Sequence, residues 1–348
     1  MKRLLPSCLL ALLLAACASE PRVLQLDTPG REARVFPPPQ TQEVPRYRYL
    51  GQLLGESNLR AQNGDSGGSG RKLLAWIVGL AEARERPVTL QRPQSGVADR
   101  QGRVLVTDVS RNAIYVFDEA QGKLEVWEQA TRRERFAAPI GIALGRGSEI
   151  LVCDAELARV FRLAADGTPL GEIGTGLLQR PTGIARDAQR GRIFVADTHA
   201  HAIQVFDDDG KRLATWGRRG DGSGELNYPT HLAWHDGLLL VADSMNARIQ
   251  GFDGEGRPVL RVGERGLYVG NLVRPKGVAM DDEGNIYVVE SMHDTLLVFD
   301  RGGRFLMPLG GGGDFYLPAG VWVDERGRVF VADMFNGRVA VFQFLGGS

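Results

Sequence analysis

Residues 180–206 contain Arg180-Pro181-Thr182-Gly183-Ile184-Ala185, then Arg192-Ile193-Phe194-Val195-Ala196-Asp197, then Ala202-Ile203-Gln204-Val205-Phe206. Proline followed closely by glycine opens the stretch, an apolar run closes on an acid, and a second strand ends on an aromatic. Consecutive apolar positions over 193–196 suit a strand covered on both faces, whereas 202–206 alternates. This pattern recurs six times between Arg92 and Phe344, with its acid at Asp108, Asp154, Asp197, Asp243, Glu290 and Asp333. The acids are 46, 43, 46, 47 and 43 residues apart. A period in that range, built of short strands and turns, indicates a propeller blade or another stacked unit.

Spacing within the copies is tighter than the period. Six residues past each acid stands Ile114, Val160, Ile203, Ile249, Leu296 or Val339. Nine past it stands Phe117, Leu163, Phe206, Phe252, Phe299 or Phe342. Glycines follow at Gly167, Gly210, Gly256 and Gly303, then at Gly174, Gly217, Gly263 and Gly310, where hairpins and blade ends are expected. The expected fold is therefore all-β, a six-bladed propeller of four-stranded antiparallel sheets that leaves no long exposed edge. The sixth copy lacks a fourth strand. Leu50-Gly51-Gln52-Leu53-Leu54-Gly55 resembles the fourth strand Leu170-Gly171-Glu172-Ile173-Gly174, so residues 46–55 are expected to close the last blade.

Lys+Arg and Asp+Glu both number 42, and 43% of the residues are hydrophobic, which suits a well-filled all-β domain and disfavours nucleic acid as the main partner. Met1-Lys2-Arg3 followed by an apolar stretch to Leu14 reads as a secretory signal too short to span stably. Leu14-Ala15-Ala16-Cys17 resembles a bacterial lipobox. That resemblance implies a signal peptide over 1–16, lipidation at Cys17, and anchoring by acyl chains, with Ala18 and Ser19 pointing to the outer membrane of a Gram-negative cell envelope. Once Cys8 and Cys17 are set aside, Cys153 is alone and reads as a small buried hydrophobe.

Six prolines between Pro21 and Pro45 suggest an extended tether over 17–45. Residues 56–91 read as an insert. It contains a flexible break, Asn63 to Gly70, and an apolar segment, Lys72 to Leu80, expected as a short helix docked by Trp76. The repeats then fill 92–348.

Val195-Ala196-Asp197, Val241-Ala242-Asp243-Ser244-Met245-Asn246-Ala247-Arg248-Ile249 and Val331-Ala332-Asp333-Met334-Phe335-Asn336-Gly337-Arg338-Val339 resemble the NHL repeat. The resemblance covers the region of the repeats and implies a six-bladed propeller. It leaves function open, because the family serves as scaffold, receptor-like domain, RNA binder and lyase.

In a propeller the loops joining blades share one face with the loops between second and third strands. The candidates on that top face are His199, His201, His231, Met245, Asn246, Met292, His293, Met334, Phe335 and Asn336. Together they suggest a surface for an envelope protein or a small ligand. Imidazole and thioether groups also suit zinc or copper, with His199, His201, His231 and His293 as metal candidates. A metal-dependent lyase or lactonase at the channel mouth is the alternative function. NHL-type amidating lyases place zinc-binding histidines directly after the inner-strand prolines. Here those positions hold Gln94, Ile140, Thr182, Thr230, Lys276 and Ala319, and His231 comes one residue late. The acids ending the second strands suggest a calcium ring, as in gluconolactonase-like propellers, or else turn acceptors for backbone N–H groups.

Overall fold

Each apolar run that ends in an acid forms the second strand of its sheet. In blade 3 the strands are Pro181–Asp187, Arg192–Asp197, Ala202–Asp207 and Arg212–Trp216, paired in that order and antiparallel. Val195 pairs with Ile184 on one side and Gln204 on the other. The middle strands are buried almost throughout and the outermost is exposed, as the change from continuous to mixed patterning requires.

The computed structural model describes residues 22–29, 34–61, 87–311 and 313–346. Five four-stranded sheets form blades 1 to 5 and a five-stranded sheet forms blade 6. Apolar clusters fill the spaces between neighbouring blades, among them Phe194, Trp216 and Trp234 between blades 3 and 4. Cys153 is buried in one of these clusters, and burial pushes its thiol well above the usual range.

The last blade is closed by the N-terminal segment. Tyr47–Leu53 pairs antiparallel with Arg338–Phe344, from Leu53 opposite Val339 to Tyr47 opposite Phe344. Val35–Phe36 adds a fifth strand outside it. Tyr47 and Tyr49 pack with Phe342 and Phe344, and the hydroxyl of Tyr47 lies 3.1 Å from that of Tyr287 in blade 5.

The described part of the expected tether is not extended away from the domain. Arg22–Leu24 pairs with Leu59–Ala61, and Asp27 and Gln52 exchange backbone hydrogen bonds. Leu24 and Leu26 pack on the core between blades 6 and 1, which explains the docking. The close approach requires Gly51. Its φ is +136° and a Cβ there would lie 2.7 Å from the carbonyl oxygen of Asp27. Of the insert, Glu56–Asn58 is a single 3-10 turn and Thr89 bridges Gly55. Cys17, the signal over 1–16, the break at 63–70 and the segment 72–80 lie outside the described residues.

Candidate functional site

The six acids are wholly buried, and they bind loops together. Asp108 accepts the N–H groups of Gln91, Arg92, Ser110 and Arg111, and Asp154 those of Ala137, Ala138, Glu156 and Leu157. Glu290 does the same for Val273, Arg274 and Met292. Each of these three carboxylates therefore joins its own turn to the loop arriving from the previous blade, while Asp197 accepts the N–H groups of Gln179 and Arg180 in the arriving loop. In blades 4 and 6 an arginine joins in, with Arg248 Nε 2.8 Å from Asp243 Oδ2 and Arg338 Nε 2.7 Å from Asp333 Oδ2. These lone pairs are occupied by protein donors, so the ring acts as loop acceptors and does not open toward a cation.

The turns after three acids are 3-10 turns, Thr198–Ala200, Ser244–Asn246 and Met334–Asn336. Their first residue is buried, and their second is exposed, giving His199, Met245 and Phe335 to solvent. The third residue bonds inward in two of them: the Asn246 and Asn336 amides each donate to the acid of their own blade at 2.8 Å. This corrects the site as read from the sequence. Met334 is a core residue, whereas the Asn246 and Asn336 amides brace their turns, Asn336 while still exposed to solvent.

The histidines are separated in the same way. His201 is buried, accepts the backbone N–H of Tyr228 at Nδ1 over 3.2 Å, and meets the Tyr228 ring edge-on at 4.4 Å. Burial, then the charge of Arg219, lowers its pKa. His199 meets the same ring edge-on at 6.2 Å. His293 is half-buried in blade 5. Among the described residues, no group of three or more His, Cys, Asp and Glu is arranged to hold a metal ion.

Backbone contact between neighbouring blades narrows the channel. A Cβ on Gly183 would lie 2.7 Å from the Thr230 carbonyl oxygen, so the approach of these two inner strands requires glycine at that position. Blade 4 places His231 at the matching position, and its Nε2 lies 3.1 Å from Ser95 Oγ in blade 1. Beyond this contact the channel widens into a cavity of about 250 Å³, lined by side chains that include Ile142, Leu232, Trp234, Met280 and Trp322. Burial, then the charge of Lys276, takes the His231 pKa down to about 4. Above the contact, the Thr182 hydroxyl donates to Thr230 O at 2.8 Å and the Thr230 hydroxyl to Lys276 O at 2.9 Å.

Around this mouth the exposed side chains change character. The second residue past the acid is Ser110 in blade 1 and Glu156 in blade 2, but Met245, Met292 and Phe335 in blades 4 to 6. Tyr228, Tyr268 and Tyr316, on loops arriving at blades 4, 5 and 6, are also exposed. Tyr316 packs on Phe335 with ring centres 5.2 Å apart and the rings tilted. None of these tyrosines, nor Lys276 or Arg92, stood out as a site residue in the sequence. The weak signal for two of them was an aromatic one or two residues before the proline-marked blade start.

The NHL repeat description matches residues 178–206, which carry the first three strands of blade 3. Together with six such sheets in a closed ring, this decides the identity. The chain is an NHL-repeat β-propeller. Over 144 residues this NHL propeller is 33% identical to the protein brain tumor of Drosophila melanogaster, covering 40% of the chain but 13% of that much longer protein. Among solved structures, a gluconolactonase from Xanthomonas campestris has a TM-score of 0.60 at 15% identity, covering 94% of this chain and 99% of the other. The virginiamycin B lyase of Staphylococcus aureus has a TM-score of 0.55 at 15% identity over 74% and 86% of the two chains. A chain of a nidogen/laminin complex has a TM-score of 0.55 at 20% identity over 71% and 89%. Likeness at these identities concerns the fold alone.

Proposed function

We propose that this NHL propeller is a lipid-anchored protein of the bacterial envelope, held through Cys17 at the outer membrane, that binds a partner protein through the top face of blades 4 to 6. One observation carries the binding role. At one repeated position the side chain changes from Ser110 and Glu156 to the half-exposed Met245, Met292 and Phe335, with Tyr228 and Tyr316 beside them. Exposed methionines and aromatics grouped on one face favour adaptable protein contact and are poorly explained by folding. The lipobox supports the location. The alternative, a metal-dependent lyase or lactonase, has less support, because His201 and His231 already use ring nitrogens within the protein.

The test is capture of a defined envelope protein by purified propeller, with identification by mass spectrometry and measurement of its affinity. Met245→Asp and Phe335→Asp should fold as the parent does and weaken that affinity by about tenfold or more. Equal affinity in both variants would refute the assignment of this face.

A further inference from the structure

The inner strands of blades 5, 6 and 1 meet main chain to main chain at the channel mouth. A Cβ on Gly277 would lie 2.9 Å from the Ala319 carbonyl oxygen, and one on Gly320 would lie 2.3 Å from that of Gln94. This contact gathers three cations into one sector. Arg274 precedes Pro275 and Lys276 follows it, while Arg92 precedes Pro93. Blade 6, between them, offers only the small Ala319 and Gly320 at this level.

The nearby acids are engaged elsewhere. Glu290 and Asp108 accept backbone N–H groups, and the ion pairs of the acid ring are those of Asp243 with Arg248 and Asp333 with Arg338. Among the described residues, Lys276, Arg274 and Arg92 have no salt-bridge partner. Lys276 is half-buried, and its pKa is lowered by that burial and then by the charges of Arg274 and Arg92. Two like charges beside a partly desolvated ammonium are unfavourable until an anion joins them. Arg92 is also held in place, since its guanidinium lies 5.4 Å from the centre of the Phe335 ring, itself packed at a tilt against Tyr316. A fixed guanidinium fork suits the paired oxygens of a carboxylate or phosphate.

We propose that Lys276, Arg274 and Arg92 bind the carboxylate or phosphate group of a small ligand placed over Ala319 at the channel mouth. The proposal rests on the top face being the binding face and names the chemistry of one ligand there. A small ligand fits better than a nucleic acid, whose backbone needs an extended basic stripe, whereas this chain has zero net charge.

Isothermal titration at low ionic strength, with citrate and inorganic phosphate as probes, tests this. Saturable one-to-one binding of at least one probe is expected, weakened by added NaCl. The probe preferred tells carboxylate from phosphate. Lys276→Gln and Arg92→Gln should each weaken binding by about tenfold or more, since charge-assisted hydrogen bonds are lost. Arg274→Gln, on an exposed side chain, replaces Lys276→Gln if the latter lowers the melting temperature. No saturable binding of either probe would overturn the proposal. So would affinities unchanged in the variants, or a single-stranded oligonucleotide bound in preference to both probes. Met245→Asp separates the two readings, because it should leave citrate and phosphate binding intact. Partner capture without anion binding overturns this site alone, and anion binding without capture overturns the partner reading alone.

Discussion

His231 Nε2 in blade 4 lies 3.1 Å from Ser95 Oγ in blade 1, so one hydrogen bond crosses the channel between two distant parts of the chain. Blades 2, 3, 5 and 6 put glycine where blade 4 puts His231 and blade 1 puts Ser95, and these two departures from the repeat let side chains meet across the channel.

The burial of His231 predicts a pH dependence. Burial and Lys276 lower the His231 pKa to about 4, from an ordinary value of 6.5. Between those values the unfolded chain takes up a proton that the folded chain does not. The resulting stability is present above about pH 6.5 and is lost as the pH falls toward 4, by up to about 3 kcal/mol. Urea unfolding at several pH values should show a shallower acid loss in His231→Gln than in the parent, with the less depressed His201 as a background common to both. Identical slopes would remove His231 as the cause.

Closure of blade 6 by Tyr47–Leu53 should set the thermal stability of the whole ring. A chain beginning at residue 60 leaves Arg338–Phe344 as a bare edge and uncovers Phe342. Its melting temperature should fall by about 10 °C, corresponding to a loss of a few kcal/mol in a domain of this size. Calorimetry showing an unchanged transition would mean that the strand is dispensable.

The acid ring should behave as loop acceptors. Asp154→Ala leaves four backbone N–H groups without their carboxylate and should cost about 3 kcal/mol in denaturant unfolding. Dialysis against EDTA should leave the parent's melting temperature unchanged. A temperature lowered by EDTA and restored by calcium would show instead that the ring holds a cation.

Membrane attachment should depend on one thiol. Cys17→Ala should abolish palmitate labelling and move the protein from the membrane to the soluble fraction of cell extracts. Continued labelling, insensitive to inhibition of signal peptidase II, would contradict the lipobox reading.

The apolar second strands were legible because a strand covered on both sides is apolar at consecutive positions, and 193–196 is so without needing its neighbours for the inference. The closing strand was legible from Leu50 to Gly55 because an outer strand keeps its pattern wherever it sits in the chain. Docking of Leu24 and Leu26 was not, since two apolar residues among prolines carry no period. The burial of Met334 was not legible, because a 3-10 turn exposes Met245 and Phe335 while it buries Met334 and lets the Asn246 and Asn336 amides bond the acid of their own blade.

The order of residues alone determined the ring, its six sheets and the strand that closes it, because strand patterning and glycine spacing are local properties repeated along the chain. Which side chains share the channel mouth was decided only in three dimensions. Ser95 meets His231, and Arg92 comes near Lys276, because inner strands pack backbone to backbone around an axis, and no sequence interval encodes that proximity.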